Sequence, residues 1–511
     1  MVPSNKLQVQ ELLAGSSIGV LASSIVLLFL SWLVVSRGPP RLPILGNLHQ
    51  APNKQPWKKY KEWSDTYGPI ISVQNGATTT IIISSWEIIK MHMARKNTVY
   101  SHRPRLQFYE HVTGGLNASV LPYGETWKAH RDLRNCLLKP SMTVKYRQIQ
   151  HVEVMHLLHI LPSRDDFSSA IRRFIASLFT TLAYGTRMEH DSDPEIEELE
   201  GILREISVES EAVMTGAAAI TAVLFPSLGS LSTRWRTKAD MLHTKLTTAL
   251  QERAKVALQK PTWNWVKEIQ KSEMSQSLSL KELSHFVGGL YEAAMAPYQG
   301  LRIIIAAIIL FPDAAARVCS ELDEVIGKDR LPDFADCDRL PWTNAFIKEA
   351  MRWRSLTPLG APRAASKDDV YLSYRIPREA TVLVNTYAID HDERIFPDPD
   401  EFKPERWIAD SSLPQVLYGF GQRGCPGRHM GQDSLFIATS RLLWAFNIES
   451  SEPGALDRER LLESADGTSL SSFMPEFKAR FSPRSAQHQS VVEEQWESAQ
   501  KDSDILLAQV M

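Results

Sequence analysis

Residues 418–427 read YGFGQRGCPG, and within that loop Cys425 is the side chain best suited to hold a metal. Gly419, Gly421, Gly424 and Gly427 place four glycines within nine positions, so the backbone can take turns that a side chain would obstruct. Such a loop brings a cysteine close to a flat cofactor and aims amide N–H groups at its sulfur. Those donors, with Arg423 nearby, favour thiolate over thiol, and the thiolate is the form that binds metal. Residues 430–446 read as helical, which sets the positive end of a helix beside the sulfur. A cysteine alone reads better as a small buried group in a turn. The whole loop reverses that preference.

Other residues have spacings suited to charge pairing. Glu349 and Arg352 are three apart and share a helix face, as do Trp127 and Arg131 at four apart. Most exposed pairs of this kind are solvated and contribute little, so a functional reading requires further partners. Residues 402–407 read FKPERW. Residues 357–363, TPLGAPR, end in a further arginine, Arg363.

Taken together these residues resemble the cytochrome P450 superfamily, in its membrane-bound microsomal form and most like its fungal members. The family's ligand loop, F-x-x-G-x-R-x-C-x-G, is matched at every fixed position except Tyr418, which keeps the aromatic ring. The resemblance implies haem b with Cys425 as axial thiolate and metal ligand. It places Tyr418, Gly421 and Gly427 in the binding loop, and Arg423, Trp127, Arg131 and Arg363 at the haem propionates. It makes Glu349, Arg352 and Arg406 a buried structural triad behind the cofactor. Axial thiolate favours O–O cleavage, so the implied chemistry is oxidation with dioxygen. No phosphate-cradling loop or dinucleotide fingerprint is present in the sequence. The resemblance therefore implies electrons from NADPH through a cytochrome P450 reductase, with Arg131, Arg134 and Lys139 as candidates for its docking face.

One departure bears on the reaction. The family's distal helix carries a pattern close to A-G-x-D-T-T, whose acid and first threonine steer protons to oxygen. Here residues 286–298 read FVGGLYEAAMAPY, which aligns Ala296 with the acid and Pro297 with the alcohol. Neither can relay a proton. Pro297 also lacks the N–H that would bond the carbonyl of Ala293, so a kink is expected. Glu292, one turn earlier, and Tyr298, just after, are candidate replacements. Three functions stay open: ordinary oxidation using water or a substrate hydroxyl as proton path; atypical chemistry such as oxidative coupling, ring closure, desaturation or rearrangement; and a non-catalytic haem protein. Residues 109–119, 289–297, 359–361 and 467–473 are expected to wall a largely apolar pocket for a hydrophobic small molecule, on this resemblance a secondary metabolite.

The elements that must position these groups are mainly helical, with a minor sheet. Apolar residues recur at helical spacing over 171–183 and 283–310, while strand-like alternation is confined to stretches such as 79–83 and 381–385. Residues 12–36 carry no charge and, as a helix, span about 37 Å, enough for a hydrocarbon core of roughly 30 Å. Arg37, Arg41 and several lysines follow, so the positive-inside rule places the remainder in the cytosol behind a single-pass anchor, which the microsomal resemblance implies is in the endoplasmic reticulum. A cleaved signal peptide is the rival, without an A-x-A-like site to support it. The expected organisation is an anchor at 1–36, a proline-rich hinge or linker at 37–47, a catalytic domain at 48–484 and a loosely attached polar tail at 485–511. A net charge of -2 over 511 residues argues against nucleic-acid binding, and the four scattered cysteines show no disulfide framework. The sequon at Asn117 is expected to stay unmodified in a cytosolic domain.

Overall fold

The computed structural model describes residues 38–510 except 44, 53, 77, 165, 191–192, 216–232, 273–277, 453, 455 and 459–473. The anchor segment 12–36 and the pocket-wall stretch 467–473 therefore lie outside the described residues.

Helices dominate, as the periodicity predicts. In chain order they include α1 (Pro56–Tyr67), α2 (Gln107–Val112), α3 (Glu125–Leu138), α4 (Arg147–Ile160), α5 (Phe167–Tyr184), α6 (Thr233–Gln259), α7 (Leu280–Glu292), α8 (Met295–Leu310), α9 (Pro341–Trp353), α10 (Arg428–Ala445), α11 (Ala486–Ser498) and α12 (Ser503–Ala508). Among the described residues eight short strands accompany them: β1 (Ile70–Asn75), β2 (Thr78–Ile83), β3 (Arg363–Ala364), β4 (Asp369–Tyr371), β5 (Tyr374–Ile376), β6 (Thr381–Val384), β7 (Phe446–Ser450) and β8 (Ala479–Pro483). The largest sheet has the order β1-β2-β6-β3, with β2 and β6 parallel, so the two strand-like stretches of the sequence are neighbours.

Local chemistry explains the boundaries. Asp166 caps α5 by accepting the N–H groups of Ser168 and Ser169, and Gly185 ends that helix at φ 71°. Ser279 and Glu282 form a reciprocal capping box at the start of α7. Residues 280–310 are long and apolar enough to cross a bilayer, yet Leu301 and Ile303 through Ala307 are fully buried in protein. Each buried isoleucine there contributes about 1.5–3 kcal/mol. This is the core helix pair, packed against α5, α9 and α10.

The proline-rich segment is docked on the sheet. Asn47 is buried, and its Nδ2 donates to the carbonyls of Pro39 (3.0 Å) and Pro40 (3.2 Å). Gly46, at φ 64°, lies so close to strand β1 that a Cβ would sit 2.0 Å from the Gln74 carbonyl oxygen.

Behind the site, Glu349 is a buried hub. Arg352 binds it through both carboxylate oxygens at 2.8 and 2.9 Å, Arg406 through Nε at 3.2 Å, and Trp407 through its indole N–H at 2.9 Å. Arg352 also donates to the carbonyls of Asp390, Pro399 and Glu401. The expected triad is present, with the tryptophan as an additional donor.

The tail corrects the sequence reading. Residues 486–510 are not loosely attached: α11 and α12 pack on the body, with Val492, Leu506, Leu507 and Val510 buried. Trp496 stacks on His156 at 4.6 Å. A few apolar anchors among many charges suffice to dock the segment, and so sparse a pattern does not stand out in composition.

Replacing Glu349 with leucine leaves two guanidinium groups facing each other without their counter-charge. Glu349→Leu is expected to lower unfolding free energy by about 3–5 kcal/mol in denaturant titration.

Candidate active site

The loop before α10 holds Cys425 as the sequence requires. Its backbone N–H donates to the Tyr418 carbonyl at 2.8 Å, closing the turn. Gly419 and Gly421 take φ 66° and 64°, the left-handed region that favours glycine. A Cβ on Gly421 would lie 2.6 Å from Asn97 Oδ1, an atom that also accepts the Gln422 N–H at 3.1 Å. Helix α10 begins at Arg428, three residues past the cysteine, so its N-terminal end faces the sulfur. Cys425 lies in a crevice, open to solvent yet closely surrounded. Burial pushes its thiol up, while the Gly427 N–H and the Arg134 and Arg428 guanidiniums pull it down. A cation on the sulfur would tip this balance towards thiolate.

Beside the crevice, arginines gather without carboxylates. Arg423 donates to the carbonyls of Ser101 (2.8 Å), Leu121 (2.6 Å) and Ala118 (3.3 Å). Arg363 donates to those of Phe420 (2.8 Å) and Tyr100 (3.3 Å). Arg103 donates to Ser119 (2.8 Å), Ala361 (3.0 Å) and Pro362. Burial, then Arg103, Arg134 and Arg363, push Arg423 down to about 8. Burial, then Arg103, lower Arg363 to about 9. Trp127 lies under Arg423 at 4.2 Å and is itself buried, with an indole N–H that finds no partner among the described residues.

These observations test the fit of the expected cofactor. Four guanidiniums within mutual electrostatic reach, met by neutral carbonyls and one free indole donor, are charge-unbalanced until a dianion joins them. The two propionates of a haem supply that charge, and Cys425 lies close enough to Arg134 for their charges to interact. The residues fit the group.

Arg131 stands at the margin. It pairs with Asp132 at 3.3 Å and covers Trp127 at 5.3 Å, partly exposed. Arg134, offered from the sequence as a docking residue, instead turns towards Cys425; burial lowers it to about 10 while the cysteine opposes that shift. Residues 127, 131 and 134 recur at four and three along α3 and so share the face on the site. That spacing was the available signal for Arg134. Arg103 had none, because a lone arginine in a loop carries no periodicity.

On the distal side the core helix is broken where Pro297 predicts. α7 ends at Glu292, α8 starts at Met295, and the Ala293 carbonyl accepts the Ala296 N–H at 3.3 Å, one residue short of a regular turn. Ala293, Met295 and Ala296 are exposed in the middle of an otherwise buried pair. Glu292 joins a polar cluster: Tyr109 Oη donates to its carboxylate at 2.6 and 2.7 Å, and Asn117 Nδ2 at 2.8 Å. Burial raises the Glu292 carboxyl, and these two donors oppose the rise. Tyr298 lies elsewhere, against Arg302 at 5.6 Å and within the influence of Glu476, Arg172 and Asp166. The structure does not bring it to Glu292, because one helical step past the break turns its side chain to another face. Asn117, the sequon residue, is buried and committed to this cluster.

A cavity of about 260 Å³ opens between residues 103–120 and 357–362, lined by Leu106, Ser119, Val120, Thr357, Gly360 and Ala361 among others. Gly360 and Ala361 line it. Leu359 does not: it is buried with Trp57 and Ile71 under the sheet.

Comparison with known proteins agrees with this geometry. Residues 36–464 match the family model described as cytochrome P450. Fumitremorgin C synthase of Neosartorya fischeri is 55% identical over 471 residues, 89% of each chain. Cytochrome P450 monooxygenase criE of Aspergillus cristatus is 44% identical over 475 residues, 93% of this chain and 89% of the relative. A zebrafish cytochrome P450 solved with progesterone superposes with a TM-score of 0.71 at 21% identity, covering 84% of this chain and 100% of that one, a likeness of fold.

Gly421→Ala is expected to strain the ligand loop by about 1–2 kcal/mol from the left-handed backbone alone, with the displacement of Asn97 in addition. The check is the rate of haem transfer to apomyoglobin, which should rise roughly tenfold; an unchanged rate would show that the loop tolerates the methyl group.

Proposed function

The chain belongs to the cytochrome P450 family as a haem-thiolate monooxygenase of fungal secondary metabolism, and from that premise we propose that it oxidises a hydrophobic small molecule by ordinary oxygen insertion through an unusual proton route. The observation that carries the reading is the pairing of a complete cysteine and arginine site with a distal helix that has Ala296 and Pro297 at the relay positions. Electrons are proposed to come from NADPH through a separate reductase, with exposed Lys139 near the docking face. Residues 12–36 are proposed as a single-pass anchor in the endoplasmic reticulum, leaving the catalytic domain in the cytosol.

Each group has a role that follows from its chemistry. Bound haem supplies dioxygen activation and the oxidising power. Cys425 is proposed to hold the iron; Arg363, Arg423, Trp127 and Arg131 hold the propionates, with Arg103 and Arg134 adding positive potential at the same edge. Tyr418, Gly421 and Gly427 shape the ligand loop. The apolar walls at Leu106, Val120 and Ala361 favour a hydrophobic substrate and exclude water. Ala296 and Pro297, in the first turn of α8, offer no side-chain proton donor beside the break. Proton delivery then falls to ordered water or a substrate hydroxyl, with Glu292 as the ionisable side chain at the break.

A second reading is favoured by the same two residues. An enzyme without the acid and alcohol is suited to outcomes in which oxygen is not inserted: oxidative coupling, ring closure, desaturation or rearrangement. Product mass separates the readings, since insertion adds one oxygen atom.

Pro297→Thr restores the alcohol. With reductase and NADPH, the variant is expected to couple more of its electron uptake to product and release less peroxide. Coupling that stays unchanged would argue against water in place of the threonine.

A further inference from the structure

The Glu292 cluster has an acceptor position left over. An ionised carboxylate offers about four lone-pair positions. The Tyr109 O–H, shared between both oxygens at 2.6 and 2.7 Å, and the Asn117 N–H at 2.8 Å on Oε2 supply only two hydrogens. The partners are themselves committed: Asn117 Nδ2 also reaches Tyr109 Oη at 2.9 Å, and Asn117 Oδ1 accepts the Ser119 N–H at 2.9 Å and its hydroxyl at 2.6 Å. These bonds fix the carboxyl's orientation from two sides. All of its partners are neutral, and among the described residues no lysine, arginine or histidine pairs with Glu292. A part-buried carboxylate held this way is costly unless further donors or a positive charge reach it, and until they do burial pushes it towards its protonated form.

Its location says where they come from. Glu292 is the last residue of α7, beside the exposed Ala293, Met295 and Ala296 of the break. Ser119 ties the cluster to the neighbouring cavity, since it hydrogen-bonds Asn117 and lines that space with Ala361 and Thr357.

We propose that Glu292, held by Tyr109 and Asn117, is a substrate-binding subsite that accepts a hydrogen bond from an N–H group, so that the substrate is a hydrophobic molecule bearing an amide or amine nitrogen. A hydroxyl would donate as well, but it carries its lone pairs on the donor atom itself, whereas an amide carries them on a carbonyl oxygen that points away from its N–H and can be met elsewhere; an ammonium carries none and brings the missing charge. Tyr109 and Asn117 act as positioning residues, and Glu292 is the residue that touches the ligand. The inference rests on the reading that the helix break is the substrate side of the haem site.

The test uses the full-length, haem-loaded protein and two probes that differ at one atom, N-benzylbenzamide and benzyl benzoate. Dissociation constants are measured by equilibrium dialysis, without turnover. The wild-type chain should favour the amide by roughly tenfold or more, as expected for a hydrogen bond to a charged group. In Glu292→Leu that preference should collapse towards unity through loss of amide affinity, with ester binding retained. Tyr109→Phe should lose part of it, and Glu292→Gln, which keeps the shape and one acceptor, should fall between. A flat ratio in the wild type, or an undiminished ratio in Glu292→Leu, overturns the proposal. The reduced carbon monoxide spectrum of each sample separates the two levels. An intact thiolate spectrum with a flat ratio defeats this inference alone, whereas a missing spectrum in the wild type defeats the site reading beneath it.

Discussion

The structure depends on one electrostatic constraint: positive charge gathered at the edge of the Cys425 crevice with carbonyl oxygens, not carboxylates, around it. Arg423 ties residues 101, 118 and 121 to the ligand loop, Arg363 ties β3 to Phe420, and Arg103 ties residue 119 to residues 361 and 362. Three segments far apart in sequence meet there. Carbonyl dipoles orient the guanidiniums but cannot neutralise them, and burial lowers the affinity of Arg423 and Arg363 for their protons. A dianionic cofactor completes the site, and its binding energy then adds to the stability of the fold. The Glu349 hub solves the opposite problem nearby, with a buried anion surrounded by donors from Arg352, Arg406 and Trp407.

The distal half follows a different logic. Pro297 costs the core helix a hydrogen bond, and the chain responds with a break of two residues between α7 and α8. The break exposes Ala293, Met295 and Ala296 and leaves Glu292 at a helix end, where side chains from residues 109–119 reach it. Loss of one polar pair thus coincides with the presence of another, one turn away and differently connected. The cofactor chemistry is common to the family; in the function proposed above, the choice of substrate and outcome falls to this local rearrangement.

Much of this was legible in the sequence where spacing carries physical meaning. The glycine pattern specified the Cys425 loop, the spacing of Glu349 and Arg352 specified a pair that the family resemblance extended to Arg406, and Pro297 specified the break. Arg103 and the Tyr109, Asn117 and Ser119 side chains were not legible as individuals. They act through contacts between segments that no local period encodes. The tail was misread because four buried apolar residues and one stacked tryptophan are diluted among charges. Tyr298 was placed at the site by proximity in sequence, whereas a helix turns each successive residue by about 100°.

The central claim is that Cys425 and the arginine group together hold a thiolate-ligated haem. The most direct measurement is the carbon monoxide difference spectrum of the reduced wild-type protein and of Cys425→Ser, with haem content determined on the same samples. The account predicts a thiolate-type spectrum in the wild type, and in Cys425→Ser haem that is still retained by the arginine edge but has lost that spectrum. A thiolate-type spectrum that survives in Cys425→Ser would move the ligand to another of the four cysteines and contradict the account.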